Sequence, residues 1–189
     1  MKALVCGLFV IALHLISFPA LARINLSVPH LSQFENRFEP RATCGITSGA
    51  MAMNMWASNH TSPDQLYIQY GKRQGQTPEG LAQIYIEEGF HAQSTRTGTR
   101  EQIRLHLDSG RPVVVHGWFT RNGHIVVIRG YSENGFLVND PAGDWSGCFK
   151  CGHMGDSGEN VLYTYDEMSD SVLGADGDIW FSTLDVAPF

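Results

Sequence analysis

The chain has 189 residues, 17% of them charged, with 13 basic against 19 acidic side chains and a formal net charge of −6. No basic patch and no second long apolar run follow residue 22, which argues against nucleic-acid binding and against a membrane span in the body of the chain. The length suits one domain able to bury a sizeable core.

The first element is a leader. Lys2 precedes an apolar run from Ala3 to Phe18, and Ala20-Leu21-Ala22 supplies a small-x-small cleavage site. The run is short for a bilayer span, which needs about 20 residues. Residues 1–22 are therefore expected to be a cleaved signal peptide, and residues 23–189 one secreted or periplasmic domain. Cys6 lies inside the apolar run rather than just after the cleavage site, which argues against a lipid anchor. Cleavage would leave 12 basic against 19 acidic side chains, a net −7.

Downstream, Thr43 is placed to cap a helix from about Cys44 to Asn59. Ile46, Ala50, Met53 and Ala57 mark one face, while Met51 and Met55 fall opposite, so the helix is expected to be buried on most sides, with the methionines as core. Three short helices follow, each with a start signal: Ser62-Pro63-Asp64-Gln65, Thr77-Pro78-Glu79 and Thr99-Arg100-Glu101-Gln102. The second stops at Gly89 and the third at Gly110, with Ile103, Leu105 and Leu107 expected inside. Then the texture changes. Strands are expected at Pro112–Trp118, His124–Arg129 and Phe136–Asn139, with a turn at Arg121-Asn122-Gly123. A Gly- and Asp-rich loop spans Asp140 to Glu159, and closing strands lie at Val161–Tyr165 and Ile179–Thr183. Helices first and a mostly antiparallel sheet second make an α+β layout.

Cys44 carries the most chemical information. A thiol at the first turn of a helix meets unpaired N–H groups and the helix dipole, which favour the nucleophilic thiolate. An odd cysteine count after cleavage also points to one unpaired thiol: Cys148 pairs with Cys151 by the simplest arithmetic, leaving Cys44 free. Acyl hydrolysis further needs a base, a group orienting that base, and an oxyanion donor. His124 opens a strand directly after a glycine turn, and Asp140 ends the next strand. The amide of Gln33, with the N–H of Cys44, could hold the oxyanion. His116 competes as base, but its mid-strand place in a Val-rich run favours packing. His30, His60, His91 and His106 have no partner in view. Taken alone, Asp140 before Pro141 is ordinary turn chemistry, so the set depends on register. Residues 124 and 140 share parity, and a loose loop with Gly130 opposite Asn134 puts both on one face. A tight turn at Asn134-Gly135 would instead set Asp140 opposite Arg129, about 16 Å along the strand from His124.

The order Gln33, Cys44-Gly45, His124 and Asp140-Pro141 resembles the papain-like cysteine peptidases of the C39 and C39-like family. The resemblance covers about residues 26–184 and implies a papain-like fold, a buried central helix packed on a mostly antiparallel sheet. It also implies Cys44 as nucleophile, His124 as base, Asp140 as orienter and Gln33 as oxyanion donor, with no cofactor. The expected activity is peptide-bond hydrolysis through a thiol acyl-enzyme, by a monomer acting on a peptide. Peptidoglycan stem peptides, and amidase, endopeptidase or acyl-transfer chemistry on the same fold, are the alternatives. A different class would be a non-catalytic peptide-binding module, or a metal or redox module built on Cys148-x-x-Cys151, with His153 and Asp156 near enough in sequence to complete a zinc site. For that pair the exported compartment favours a disulfide.

Overall fold

The computed structural model describes residues 24–56, 60–169 and 177–186; the expected leader lies outside them. The first strand, β1, is only Ile24–Asn25. A 3-10 turn at Gln33–Glu35 leads into α1 (Cys44–Asn54), and α2 (Pro63–Gln74) and α3 (Pro78–Glu87) follow. After β2 (Phe90–Gly98) and α4 (Arg100–Asp108) come β3 (Val113–Gly117), β4 (His124–Tyr131) and β5 (Gly135–Asn139). The chain closes with β6 (Val161–Thr164), a single turn α5 (Tyr165–Met168) and β7 (Ile179–Val186). The strands form one antiparallel sheet in the order β2-β7-β3-β4-β5-β6, with β1 added on β4.

Side-chain alternation along β3 and β4 builds a core on each face of this sheet. Val114, Ile125 and Val127 meet Ile46, Ala50 and Met53 of α1. Val113, Val115, Val126 and Ile128 meet Ile103 and Leu107 of α4. Every residue of α1 is buried, Met51 and Met53 among them, as its all-round apolarity requires. Ser48 ties this helix to the sheet, its hydroxyl donating to the Ile125 carbonyl at 3.0 Å.

The three later helices begin where their caps predict. Ser62 with Gln65 and Thr99 with Gln102 form capping boxes, and Thr77 accepts from the Gly80 N–H. Other expectations are corrected. α1 ends at Asn54, short of the end expected near Asn59, a residue outside those described. Thr43 sits at its N-terminus without capping through its side chain, because its hydroxyl instead bonds the Glu39 carbonyl and the Asn36 amide. Leu105 is exposed rather than inside, since only Ile103 and Leu107 share the i, i+4 face turned to the core. Strand β2 was not anticipated: its run His91-Ala92-Gln93-Ser94-Thr95-Arg96 is polar because it is an edge strand with one partner, β7.

The register of β4 and β5 falls between the two expected answers. Tyr131 faces Phe136 and Gly130 faces Leu137, but Ile128 faces Val138 and Val127 faces Asn139. One extra residue, Arg129, is therefore accommodated as a bulge. The bulge changes the parity of the pairing. Extending the upper register would set Asp140 against Val127 and turn its carboxylate to the α1 face, whereas the lower register sets it against Val126, on the face of His124.

Ser48→Ala, which removes the α1–β4 bond, is expected to lower unfolding free energy by about 1 kcal/mol. Urea titration checks it, and an unchanged midpoint would show that apolar packing alone docks α1.

Candidate active site

Three elements converge at the end of β4. Cys44 is the first residue of α1, His124 the first of β4, and Asp140 follows the last residue of β5. Each lies at an element's end, where a side chain can reach beyond its own layer. Gly45 permits the helix start to sit close to the α2–α3 connection, since a Cβ there would run into the Gly75 carbonyl. Gly117 stands opposite His124 in the β3–β4 ladder, so no cross-strand side chain crowds the imidazole.

His124 Nε2 donates to Asp140 Oδ1 at 2.7 Å, and Cys44 lies beside the same ring, close enough to raise its proton affinity. With Nε2 committed to the carboxylate, Nδ1 is the nitrogen left to face sulfur. Cys44, His124 and Asp140 are thus joined in one line, all buried, with Cys44 9% exposed toward a cleft. Cys44 is the free cysteine among the described residues, while Cys148 and Cys151 are joined by a disulfide with Cα atoms 5.5 Å apart.

Asp140 is fully buried, and a buried carboxylate needs donors. Besides His124, Oδ1 accepts the Ala142 N–H at 2.8 Å, and Oδ2 accepts the Tyr163 hydroxyl at 3.0 Å and His153 Nε2 at 3.1 Å. Its backbone is held too: the Asp140 N–H donates to Gly158, and the His30 ring donates to the Asp140 carbonyl. Burial alone would raise the Asp140 carboxyl, but His124 and then His153 hold it well below the usual carboxylate range. Burial opposes charge on His124, yet the Asp140 carboxylate and then Cys44 reverse this and raise its proton affinity above that of a free imidazole. Burial and the same carboxylate push the Tyr163 hydroxyl up, so it remains a donor.

Gln33 is buried beside this arrangement. Its N–H donates to Pro141, and its Nε2 donates to the Pro40 carbonyl at 2.8 Å in the loop before Cys44. One amide proton is therefore spent on structure and a second remains. The Oε1 atom is buried with no hydrogen-bond partner among the described residues.

A cavity of about 280 Å³ opens at Cys44 and His124 and is walled by Trp118 and Trp180, with His116 and Gln76 along it. Burial pushes His116 down to about 4, and among the described residues no carboxylate is hydrogen-bonded to it as Asp140 is to His124. Sequence reading assigned no partner to His30 and missed Tyr163 in the network around Asp140. His153 had been noticed only for its nearness to the cysteine pair. Tyr163 reaches Asp140 because β6 pairs with β5, a long-range register that has no local signal. The donor atoms of His124, Asp140 and His153 lie within 4.8 Å of one another, and their mutual hydrogen bonds account for that spacing.

A model of the Peptidase_C39 like family matches residues 25–151, most of the chain and all four of Gln33, Cys44, His124 and Asp140. The chain belongs to this family. It is a cysteine peptidase. The fold is similar to that of a double glycine motif protease from an AMS/PCAT transporter, solved with its leader peptide: TM-score 0.59, 20% identity, 88% of this chain and 97% of that one. It is also similar to the peptidase domain of Streptococcus ComA, a bifunctional ABC transporter, with TM-score 0.57, 19% identity, and 78% and 93% of the two chains covered. A C39-like peptidase from Bacillus anthracis aligns with TM-score 0.51 and 15% identity over 88% and 98%. No curated protein matches the sequence. The papain-like α+β architecture expected from the sequence is the one observed.

The paired shifts set a pH signature. His124 holds its proton more tightly when folded, so its contribution is complete below about pH 6.5 and is lost as pH rises through the folded value. Asp140 contributes fully above about pH 3.9 and loses this as pH falls. Asp140→Asn is expected to flatten the alkaline decline in unfolding free energy, measured by urea titration from pH 5 to 9. Parallel curves for variant and parent would show that the pair does not store this energy.

Proposed function

We propose that this chain is an exported cysteine peptidase that hydrolyses a peptide bond through an acyl-enzyme on Cys44. The single observation that carries the reading is the buried Cys44–His124–Asp140 line opening on an aromatic-walled cleft.

In this reading His124 Nδ1 has taken the Cys44 proton before attack, and Cys44 Sγ then adds to the scissile carbonyl carbon. Asp140 keeps the ring turned toward sulfur and stabilises the imidazolium. The Cys44 N–H and the second amide proton of Gln33 hold the oxyanion. His124 then protonates the leaving amine, leaving a thioester. A water attacks that thioester as His124 takes its proton, which releases the acid and restores the thiol. No step needs a cofactor.

A peptide substrate is supported by family membership and by the leader peptide bound to the transporter protease of similar fold. Peptidoglycan stem peptides belong in the same screen. Export is supported by the Lys2, Ala3–Phe18 and Ala20-Leu21-Ala22 pattern and by the disulfide, which suits an oxidising compartment. The mature protein, residues 23–189, is expected to act as a single-domain monomer.

Incubating the mature protein with a peptide library and with peptidoglycan fragments, read by mass spectrometry, tests the reading. Cleavage is expected and is abolished in Cys44→Ala; turnover that survives this change would refute it. Gln33→Ala is expected to lower kcat about 100-fold with little change in KM. A rise confined to KM would instead make Gln33 a substrate-binding residue. Mass analysis of the exported protein is expected to find Arg23 as its first residue, and retention of residues 1–22 would contradict cleavage.

A further inference from the structure

We propose that His153 is a positioning residue for the His124–Asp140 pair, brought there by the hairpin that the Cys148–Cys151 disulfide closes. The proposal rests on the hydrolytic reading above and adds a residue beyond the family-matched segment, which ends at residue 151.

His153 touches both members of the pair. Its Nε2 donates to Asp140 Oδ2 at 3.1 Å, and its ring meets the His124 ring edge to face, with centroids 4.7 Å apart. The two contacts act on different freedoms. The hydrogen bond fixes the carboxylate plane, with Tyr163 as the other donor to the same oxygen, so that Oδ1 stays aimed at His124. The ring contact limits rotation of the imidazole that must alternate between sulfur and the leaving group. Asp140 has no exposed surface, while the His153 side chain is 12% exposed. Neither contact requires His153 to be charged; a neutral ring with its proton on Nε2 makes both.

The hairpin explains how a loop residue can hold such a position. Residues 140–160 contain many glycines, and a loop of that composition does not by itself place a side chain. Here the disulfide closes residues 148–151, and the Cys151 N–H donates to the Cys148 carbonyl. On one side the hairpin pairs with the cleft wall: Lys150 N–H donates to Trp118 and Gly152 N–H to Phe119, at 2.9 and 3.0 Å. On the other, Trp145 and His153 form a β-bridge, and buried Trp145 donates its indole N–H to the Cys148 carbonyl and its backbone N–H to the Tyr163 hydroxyl. His153 thus stands two residues from the disulfide, between two backbone attachments, and the hydroxyl that completes Asp140 Oδ2 belongs to the same network.

The test uses the oxidised mature protein with His153→Ala, His153→Gln and the double variant Cys148→Ser/Cys151→Ser. The first readout needs no substrate: the low-field proton NMR signal of the His124 Nε2–H, identified by its loss in His124→Ala. In the parent it is expected to be sharp and protected from exchange with water. In His153→Ala and in the double serine variant it is expected to broaden. Glutamine offers an amide N–H at nearly the position of Nε2, so His153→Gln is expected to recover the sharp signal. On any peptide whose cleavage depends on Cys44, His153→Ala is expected to lower kcat on the order of tenfold with KM unchanged, and His153→Gln to restore most of it. Melting temperatures separate this from unfolding. A parent-like signal in His153→Ala would overturn the proposal, as would a glutamine variant no better than alanine at equal melting temperature. Cleavage that survives Cys44→Ala would remove the hydrolytic reading instead, and the NMR result would stand apart from it.

Discussion

A carboxylate with no access to water is the constraint around which this molecule is arranged. Isolating such a charge costs several kcal/mol unless donors replace its hydration. The Asp140 carboxylate accepts four bonds, from His124, Ala142, Tyr163 and His153, and its backbone makes three more, from His30 and Gly143 and to Gly158. These partners come from β4, β6, the segment before α1 and the long loop, so satisfying one residue draws together parts of the chain far apart in sequence. His124 is then held between this anchored anion and the Cys44 thiol.

The bulge at Arg129 is the geometric counterpart of that constraint. Upstream of it Val126 and Ile128 face the α4 core, and downstream Tyr131 does so, an odd position following even ones. The inserted residue lets the hairpin keep a three-residue connection, Ser132 to Asn134, while Asp140 arrives on the face of His124. Without it, the same sequence pairing would bury the carboxylate against the apolar side of α1. A bulge beside a site commonly re-aims a side chain in this way. Here it re-aims the whole strand end.

Much of this was legible in the sequence because it is locally encoded. Capping boxes at Ser62 and Thr99 begin helices by local hydrogen bonds, and the valine run of β3 can only be a buried strand. Cys44, His124 and Asp140 stood out because each lies at an element's end beside a glycine, a turn or a proline. The illegible part is what only tertiary structure supplies. The polar edge strand β2 has no apolar alternation to announce it, and the register of β4 with β5 depended on one extra residue that no local pattern marks. His30 and Tyr163 reach Asp140 through pairings of distant strands and loops. The CxxC pair was visible, but not that it would frame a hairpin whose next histidine touches the carboxylate.

The relation to the transporter proteases is one of fold, at 19 and 20% identity. In this chain the cleft beside Cys44 is walled by Trp118 and Trp180, with Lys150 stacked over the first and Arg96 over the second. Cation–π stacking of this kind stabilises an exposed indole by about 0.5–1 kcal/mol. The most direct test of the central claim is to trap the intermediate: quench the protein in acid during peptide cleavage and weigh it intact. The account predicts an added acyl fragment on Cys44 that hydroxylamine removes. Product forming at full rate while Cys44 stays unmodified after every quench, with no burst of released amine, would contradict an acyl-enzyme on this thiol.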